Sequence, residues 1–213
     1  MDAGVQMEHY EKENLRQPEA EEDLYTVERY QQFARHLRPR DGVILDVGCS
    51  TGRGGEQIAR LAPQAKIWGL DVVQSRLDAL PAAYSLRLRG LSTDIPLEDG
   101  SVDAVLAGEF LEHLLPRDVD PTLCEFQRIL RVGGQLLLTT PNPRYVRLRL
   151  TNRSVFGPGH LTQHFPEVLR LRLMMHGFSH VRVRGSGRMS RYLTEHLPVL
   201  PLYGSYLMLA DKR

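Results

Sequence analysis

Cysteine and long apolar runs are scarce in this 213-residue chain. The two cysteines, Cys49 and Cys124, cannot form a disulfide framework, and no histidine or cysteine cluster has zinc-site spacing. No stretch reaches the roughly 18 uninterrupted apolar residues of a membrane span. The acidic N-terminus lacks the apolar core of a signal peptide. These absences predict a cytoplasmic protein without a disulfide core, a membrane span or a structural zinc.

Net charge is also small, at +1, but the charges are unevenly distributed. Residues 1–28 carry nine acidic side chains against two basic ones, whereas residues 144–213 carry twelve basic against three acidic. This polarity indicates either a basic face for an acidic partner or two surfaces that neutralise one another. With 42% hydrophobic and 25% charged residues, the composition and length are those of one ordinary globular domain.

The most informative stretch is residues 43–71, VILDVGCSTGRGGEQIARLAPQAKIWGLD. A short apolar run precedes a glycine turn, a potential helix, and a second apolar run that ends at Asp71. This order is typical of half of a doubly wound nucleotide-binding sheet. Gly48 and Gly52 allow a sharp turn and close approach of a ligand. The helix N-terminus favours an anionic group, and Asp71 stands where a carboxylate accepts hydrogen bonds from ribose hydroxyls.

The glycine spacing disfavours a dinucleotide. The dinucleotide fingerprint is G-x-G-x-x-G, whereas here Ser50 replaces the second glycine, which lets the backbone approach a pyrophosphate. Asp46, just before the turn, can face an ammonium group, which an amino-acid moiety has and a pyrophosphate lacks. The residues therefore predict a ligand with a ribose and an anionic end.

Residues 46–52, DVGCSTG, resemble the first motif of class I S-adenosylmethionine (SAM)-dependent methyltransferases, D-V-G-C-G-T-G, with Ser50 in place of the middle glycine. Later blocks continue the resemblance in order: STDIPLEDGSVD at 92–103, EFLEHL at 109–114, RILRVGG at 128–134 and TPN at 140–142. They are similar to the family's D-x-P-F-x-D-x-S-F-D, E-V-L-E-H, R-V-L-K-P-G-G and T-x-P-N blocks. The branch it resembles includes quinone- and sugar-methylating enzymes.

The resemblance implies an α/β fold: a single Rossmann-like, doubly wound, seven-stranded and mostly parallel sheet with helices on both faces and an antiparallel last strand. Residues 1–40 are expected to form an N-terminal arm and cap helix, and residues 41–213 the SAM-binding domain. Tyr25 and Tyr30 on the cap helix either contact the ligand as part of a lid or only pack on the sheet. The implied cofactor-binding residues are Asp46, Gly48, Cys49, Ser50, Gly52, Asp71, Val72, Asp94, Ile95, Gly108 and Glu109.

Some of these roles come from the family alone. Asp94 would accept a hydrogen bond from the adenine amine while Ile95 packs on the ring; the alternative is a local turn before Pro96. Gly108 and Glu109 would flank the reactive methyl at the end of the fourth strand.

Three histidines are candidates for the catalytic base that an alcohol or phenol acceptor requires. His113 follows the fourth strand, but the family carries a histidine there across different chemistries, so it could simply brace the loop. His160 and His164 lie on the long connection after the fifth strand, where related enzymes build the acceptor wall; N-capping and loop packing are the alternatives.

The same connection contains RYVRLRLTNR, with arginines at 144, 147, 149 and 153. Their alternation with apolar residues predicts a strand-like or edge segment, or a face that contacts both lipid and phosphate. A helix is predicted between residues 189 and 197. Guanidinium groups bind phosphate and carboxylate in pairs of hydrogen bonds, so an acidic or phosphorylated acceptor fits, unless the loop is only solvated. Few aromatics lie between the arginines, which disfavours RNA.

Together these patterns predict a SAM-dependent methyltransferase that acts on a small molecule, at oxygen ahead of nitrogen or carbon. One alternative is an RNA or protein methyltransferase that uses the basic C-terminal half. Another is a SAM-binding protein without catalysis. No metal ligands are predicted, although a divalent metal on the acceptor stays open.

Overall fold

Helices and strands alternate along the chain in the computed structural model, which describes residues 3–15, 24–157, 159–192 and 194–213. The strands are β1 Val43–Val47, β2 Lys66–Asp71, β3 Tyr84–Arg89, β4 Val102–Gly108, β5 Leu130–Pro141, β6 Phe178–Ser186 and β7 Ser205–Lys212. The helices are α1 Ala3–Leu15, α2 Leu24–His36, α3 Arg53–Leu61, α4 Gln74–Asp78, α5 Val119–Ile129, α6 Val146–Leu150 and α7 Pro166–Met175. None of the described helices is long and apolar enough to span a membrane.

The seven strands form one sheet in the order β3-β2-β1-β4-β5-β7-β6. Strands β1 to β5 pair in parallel, and β7 runs antiparallel to both of its neighbours, β5 and β6. This arrangement confirms the predicted fold class. The chain order reverses between β1 and β4, and the crevice beyond the carboxyl ends of the strands at such a reversal is where open α/β sheets bind ligands.

Side chains of the central strands alternate between two hydrophobic layers. One layer includes Ile44, Leu106 and Leu137 and packs against α2, α3 and α4. The other includes Leu45, Val105 and Leu138 and packs against α5 and α7. Because β1, β4 and β5 are covered on both faces, they read in the sequence as nearly continuous apolar runs.

Two local predictions are wrong. The RYVRLRL segment forms the short helix α6, because β5 already has β4 on one side and β7 on the other and offers no edge to pair with. Between residues 189 and 197, the described part contains only the 3-10 turn Arg188–Arg191. The chain leaves this turn because the backbone N–H of Gly185 pairs with the carbonyl of Glu195 at 3.0 Å, which holds the segment against β6.

Candidate active site

A cavity of about 340 Å³ lies at the carboxyl ends of β1, β2, β3 and β4. Its walls come from the loop that follows each of these strands, and α1 and α2 contribute side chains from outside the sheet. Its volume is within the range of small-molecule sites, roughly 300–1,000 Å³. The structure therefore has a ligand-sized cavity at the position that the strand order predicts.

The turn after β1 depends on residues with positive φ. Gly48 and Gly52 have φ of 67° and 78°, and Ser50 between them has φ of 46°. A Cβ at Gly48 would lie 2.7 Å from the Phe110 ring, and one at Gly52 would lie 2.5 Å from Pro81. Both glycines are therefore required for conformation and for space, whereas Ser50 occupies the left-handed region with a side chain.

Replacing Ser50 with glycine is expected to increase stability. An L-residue in the left-handed region costs about 1–2 kcal/mol, and glycine gives back part of this through its larger unfolded-state entropy. We expect the free energy of unfolding to rise by about 0.5–1 kcal/mol in denaturant titrations, with a Tm increase of about 2–3 °C. Ser75→Gly in α4 is the matched control and should lower stability. A Ser50→Gly protein no more stable than wild type would contradict the strain argument.

Asp71 is held at the cavity wall by the backbone. Its Oδ2 accepts from the N–H of Ser50 and its Oδ1 from the N–H of Val73, both at 2.9 Å. The side chain is buried and lines the cavity together with Val72. A carboxylate has about four acceptor positions, so each oxygen keeps capacity to accept from a ligand hydroxyl.

Asp46 lies behind the cavity rather than in its wall. It is completely buried, its Oδ1 accepts from the Tyr30 hydroxyl, and its Oδ2 accepts from the Tyr84 hydroxyl at 2.5 Å. Burial raises the pKa of Asp46 to about 6, against the lowering effect of the two phenols. The carboxylate expected to face an ammonium group is therefore occupied by two tyrosines.

The raised pKa predicts a pH-dependent stability difference between wild type and Asp46→Asn. The folded state holds the Asp46 proton up to a higher pH than the unfolded chain, so wild type loses stability as pH rises through about 4 to 6. Relative to Asp46→Asn, this loss should approach about 3 kcal/mol above pH 7. Denaturant titrations of both proteins between pH 4 and 8 measure the difference, with Asp78→Asn on α4 as control. A constant difference across this range would contradict the prediction.

Two glycines make room for the tyrosines that bind Asp46. A Cβ at Gly54 would lie 2.3 Å from the Tyr30 ring, and one at Gly55 would lie 2.3 Å from the Tyr84 ring. The Gly55 N–H also donates to the Tyr84 hydroxyl at 3.1 Å. Sequence analysis did not identify this arrangement, although a glycine pair in the first turn of a helix is a signal for close packing.

Helix α1 contributes Tyr10 and Asn14 to one wall of the cavity. The Tyr10 hydroxyl donates to Asp118 at 2.5 Å and accepts from the backbone N–H of Leu115 at 3.0 Å. Arg76 donates to the carbonyl of Asn14 at 3.0 Å, and both Tyr10 and Asn14 line the cavity. Of the arm and cap expected over residues 1–40, residues 1–2 and 16–23 lie outside the described part. No motif or periodicity in the sequence distinguishes Tyr10 from its neighbours.

Helix α2 supplies the opposite side through Thr26, Arg29 and Tyr30. Of the two tyrosines proposed as lid contacts, Tyr30 lines the cavity, whereas Tyr25 is exposed and does not. Tyr30 also packs edge-on against the fully buried Phe33, so α2 is part of the core as well as a wall of the cavity.

The end of β4 places a partly buried acid in the cavity wall. Glu109 has a positive φ of 51°, and its N–H donates to the Thr139 carbonyl at 3.0 Å. Its Oε2 accepts from the Ser205 hydroxyl at 3.3 Å, and Arg29 Nε lies 3.9 Å from Oε1. Oε1 itself is buried without a hydrogen-bond partner among the described residues. Strained backbone and an unsatisfied carboxylate oxygen together are typical of functional sites.

The predicted adenine pair does not line the cavity. Asp94 is exposed and its N–H bonds to the Leu91 carbonyl at 3.2 Å, whereas Ile95 is buried in the core near α5. The loop turns back between Leu91 and Asp94, which brings the preceding residues to the cavity: Gly90, Leu91, Ser92 and Thr93. The residues of this loop that reach the cavity therefore lie just before Asp94 and Ile95 in the chain. Other predicted residues line the cavity, namely Gly48, Cys49, Ser50, Asp71, Val72, Gly108, Glu109 and His113.

Cys49 lines the cavity but is buried from bulk solvent. It is 5% exposed, and burial, followed by the charges of Asp46 and Asp71, raises the pKa of its thiol far above the ordinary value. Because the thiolate is the reactive form, this thiol contributes shape to the cavity rather than a nucleophile.

The three candidate histidines separate in the structure. His113 lines the cavity, and its Nδ1 lies 2.8 Å from the Gly159 carbonyl, so a neutral ring carries its proton on Nδ1. Burial and the neighbouring His160 lower the pKa of His113 to about 4, which makes it a weak base at neutral pH. The His160 ring packs edge-on against His113 at 4.9 Å. His164 is buried away from the cavity and bonds to Thr162 at 2.9 Å.

Glu112, which sequence analysis did not select, lies beside the first two histidines. It is 1% exposed, its Oε2 accepts from the Thr140 hydroxyl at 3.1 Å, and its Oε1 has no hydrogen-bond partner among the described residues. Burial, together with the charge of Glu109, raises the pKa of Glu112 well above the ordinary range. Two acids and two histidines therefore lie near one another beyond the end of β4, and of these Glu109 and His113 line the cavity.

The arginines of the connection after β5 do not line the cavity. Arg144 pairs with Glu167 at 3.2 Å and lies over the Phe165 ring at 5.9 Å, while Arg147 and Arg149 project from α6 into solvent. Leu150 beside them is 81% exposed. The segment forms a basic and apolar outer surface rather than a wall of the site.

Comparison with known proteins agrees with this geometry. Residues 45–138 match the family model described as a methyltransferase domain. The chain is 33% identical over 125 residues to a fatty-acid O-methyltransferase of Mycolicibacterium smegmatis, covering 57% of this chain and 45% of that protein. It is 32% identical over 143 residues to a malonyl-[acyl-carrier protein] O-methyltransferase of Laribacter hongkongensis, covering 61% of this chain and 46% of that protein. The chain thus spans less than half the length of these relatives.

A solved SAM-dependent methyltransferase from Thermotoga maritima superposes with a TM-score of 0.67 at 20% identity, over 99% of this chain and 96% of that one. At this identity the likeness bears on the fold, and the family model covers the segment that carries the glycine turn, Asp71 and the end of β4. Residues 45–138 thus match a methyltransferase domain, and the chain shares its fold with a solved SAM-dependent methyltransferase.

Proposed function

We propose that this protein is a SAM-dependent methyltransferase that methylates an oxygen atom of a small acidic molecule, most simply a carboxylate. One observation carries the assignment of SAM: the cavity has an oriented carboxylate, Asp71, at one side and a buried carboxylate oxygen of Glu109 without a hydrogen-bond partner among the described residues at the other. A ligand with ribose hydroxyls at one end and positive charge at the other satisfies both groups.

The described residues fit SAM in this cavity. Asp71 would accept from the ribose hydroxyls, and Val72 and Leu91 offer apolar surface for the adenine. Glu109 would place negative charge near the positively charged groups of the methionine part. The first turn of α3, next to Ser50 and Thr51 in the cavity wall, presents backbone N–H groups to its carboxylate. Bound SAM supplies an electrophilic methyl group, and the protein holds donor and acceptor in line.

We infer the class of acceptor from the strength of the base that lines the cavity. Only His113 of the candidate histidines lines it, and a ring with a pKa of about 4 is poorly matched to removing a proton from an alcohol or phenol at neutral pH. A carboxylate is already ionised and needs no base. Alignment of donor and acceptor then provides most of the acceleration, and such positioning contributes about 7–11 kcal/mol in well-oriented reactions.

The relatives support oxygen as the methylated atom, because two of them are named O-methyltransferases, one for fatty acids and one for a malonyl group on acyl-carrier protein. The proposal places the reaction in the cytoplasm, where the exposed thiol of Cys124 stays reduced.

Transfer of tritium from methyl-labelled SAM tests the proposal. We expect incorporation with fatty and dicarboxylic acids and little with the matched primary alcohols, phenols or total RNA. A methyl ester releases its label as methanol in alkali, whereas an ether retains it, so base treatment identifies the bond formed. No transfer to any acid by a folded protein that binds S-adenosylhomocysteine would overturn the catalytic proposal. Preferred transfer to alcohols, phenols or RNA would overturn the acceptor class.

A further inference from the structure

Glu112, His113 and His160 bring three metal-ligand side chains together beside the cavity. One potential ligand atom from each residue lies within 4.8 Å of those of the other two. The chain separates His160 from the other two by the whole of β5 and its following connection, so this grouping exists only in the fold. Two histidines and one carboxylate are a common ligand set of catalytic zinc and non-haem iron sites.

Hydrogen bonds at the other ring nitrogens orient both histidines. His113 Nδ1 lies 2.8 Å from the Gly159 carbonyl, and His160 Nδ1 lies 2.9 Å from the Val155 carbonyl. A carbonyl can only accept, so each neutral ring donates from Nδ1 and keeps a lone pair on Nε2. Metal-ligating histidines typically donate their second ring nitrogen to a backbone carbonyl or carboxylate in this way.

The Glu112 carboxyl group, like the two histidines, has one hydrogen-bonded atom and one without a hydrogen-bond partner among the described residues. Glu112 Oε2 accepts from Thr140 at 3.1 Å, whereas Oε1 is buried without a hydrogen-bond partner among the described residues. The side chain is 1% exposed, so water satisfies Oε1 poorly. A buried carboxyl oxygen without a partner is costly, and a cation bound next to it removes that cost.

Hydrogen bonds to the backbone hold residues 160–162 against residues 111–113. The N–H groups of Leu161 and Thr162 donate to the Glu112 carbonyl at 2.7 and 3.1 Å, and the Thr162 hydroxyl donates to the Leu111 carbonyl at 2.9 Å. The His160 N–H closes a turn onto Gly157 at 3.0 Å. The three side chains therefore project from a braced frame rather than from independent loops.

We propose that Glu112, His113 and His160 bind one divalent transition-metal ion, with zinc as the best match to the ligand set. Three protein ligands leave a coordination position open, as catalytic zinc sites do. Because His113 also lines the main cavity, that position would be able to take an oxygen of the acceptor; this role rests on the proposed function, whereas metal binding itself does not. The proposal replaces the sequence-based expectation of no metal ligands, which considered spacing along the chain alone.

Zinc binding can be measured without any activity. The full-length protein is treated with a chelator, desalted and titrated with Zn²⁺ by calorimetry, and Co²⁺ serves as a spectroscopic probe because its visible absorption reports coordination by nitrogen. We expect one ion per chain. Glu112→Gln and His160→Gln should each weaken binding at least about 100-fold, because even loss of an outer hydrogen-bond partner costs 10–100-fold. His196→Gln, an exposed histidine, is the matched control and should bind as wild type does.

Circular dichroism and S-adenosylhomocysteine binding show whether each variant is folded; His160→Gln is the safer of the two because His160 is only half-buried. Equal zinc affinity in wild type and in folded His160→Gln would overturn the proposal, since the ion would then bind elsewhere. Absence of zinc binding by wild type would also overturn it. Neither result bears on methyl transfer, and a failed transfer assay with intact, cluster-dependent zinc binding would reject the proposed function alone.

Discussion

Replacing Asp71 with alanine is expected to reduce SAM affinity by at least about 100-fold. The carboxylate has two oxygens fixed by backbone N–H groups at 2.9 Å, so its remaining acceptor positions are oriented before any ligand arrives. Two hydrogen bonds to a charged acceptor contribute about 1.5–3 kcal/mol each. Their loss corresponds to at least two factors of ten in the dissociation constant. Equilibrium dialysis with labelled SAM measures the change.

Asp71 also holds the turn after β1, so a second variant separates ligand contact from loop collapse. Asp71→Asn keeps the size of the side chain and one acceptor oxygen, and it should bind SAM between wild type and Asp71→Ala. Asp78→Ala removes a neighbouring acid on α4 and should bind like wild type. Wild-type affinity in a folded Asp71→Ala protein would show that the ribose of SAM does not lie at this carboxylate.

Replacing Gly54 with alanine is expected to destabilise the fold strongly for so small a change. The new methyl group would lie 2.3 Å from the Tyr30 ring, and that ring is held between the fully buried Phe33 and Asp46. Overpacking a tight core typically costs 1–3 kcal/mol, so we expect a loss of about 2–3 kcal/mol and a Tm decrease of roughly 5–10 °C. Thermal and urea denaturation give both values.

A double variant tests whether the Tyr30 contact causes this loss. Tyr30→Leu removes the ring. The double variant should therefore lose less unfolding free energy than the sum of the losses in the two single variants, by at least about 1 kcal/mol. Gly4→Ala is the control, because no atom lies within 4 Å of the added methyl group and alanine favours a helix. Strict additivity would mean that the ring moves aside without cost.

Much of the fold follows from local sequence signals. The strands β1, β4 and β5 are buried on both faces, and each contains a short apolar core that is visible in the sequence: VIL in β1, AVLA in β4 and LLL in β5. Gly48 and Gly52 were identifiable because positive φ restricts the residue type. The position of Asp71 follows from strand, turn, helix and strand in succession.

The parts that sequence reasoning missed depend on contacts between distant segments. Tyr10 reaches Asp118 and Leu115 across the cavity, and Glu112 meets His160 only because β5 and its connection return the chain to that edge. Asp94 does not line the cavity, because a tight bridge between Leu91 and Asp94 turns the loop back before it. Neither hydrophobic periodicity nor residue spacing encodes these approaches.

Calorimetric titration of S-adenosylhomocysteine into the wild-type protein tests the central claim most directly. The proposal predicts one site per chain with a dissociation constant in the micromolar range, about −8 kcal/mol, and an increase of Tm with ligand concentration. A folded protein that gives no binding heat and no Tm shift at millimolar ligand would contradict the claim that the cavity between α1, α2 and the carboxyl ends of β1 to β4 holds SAM.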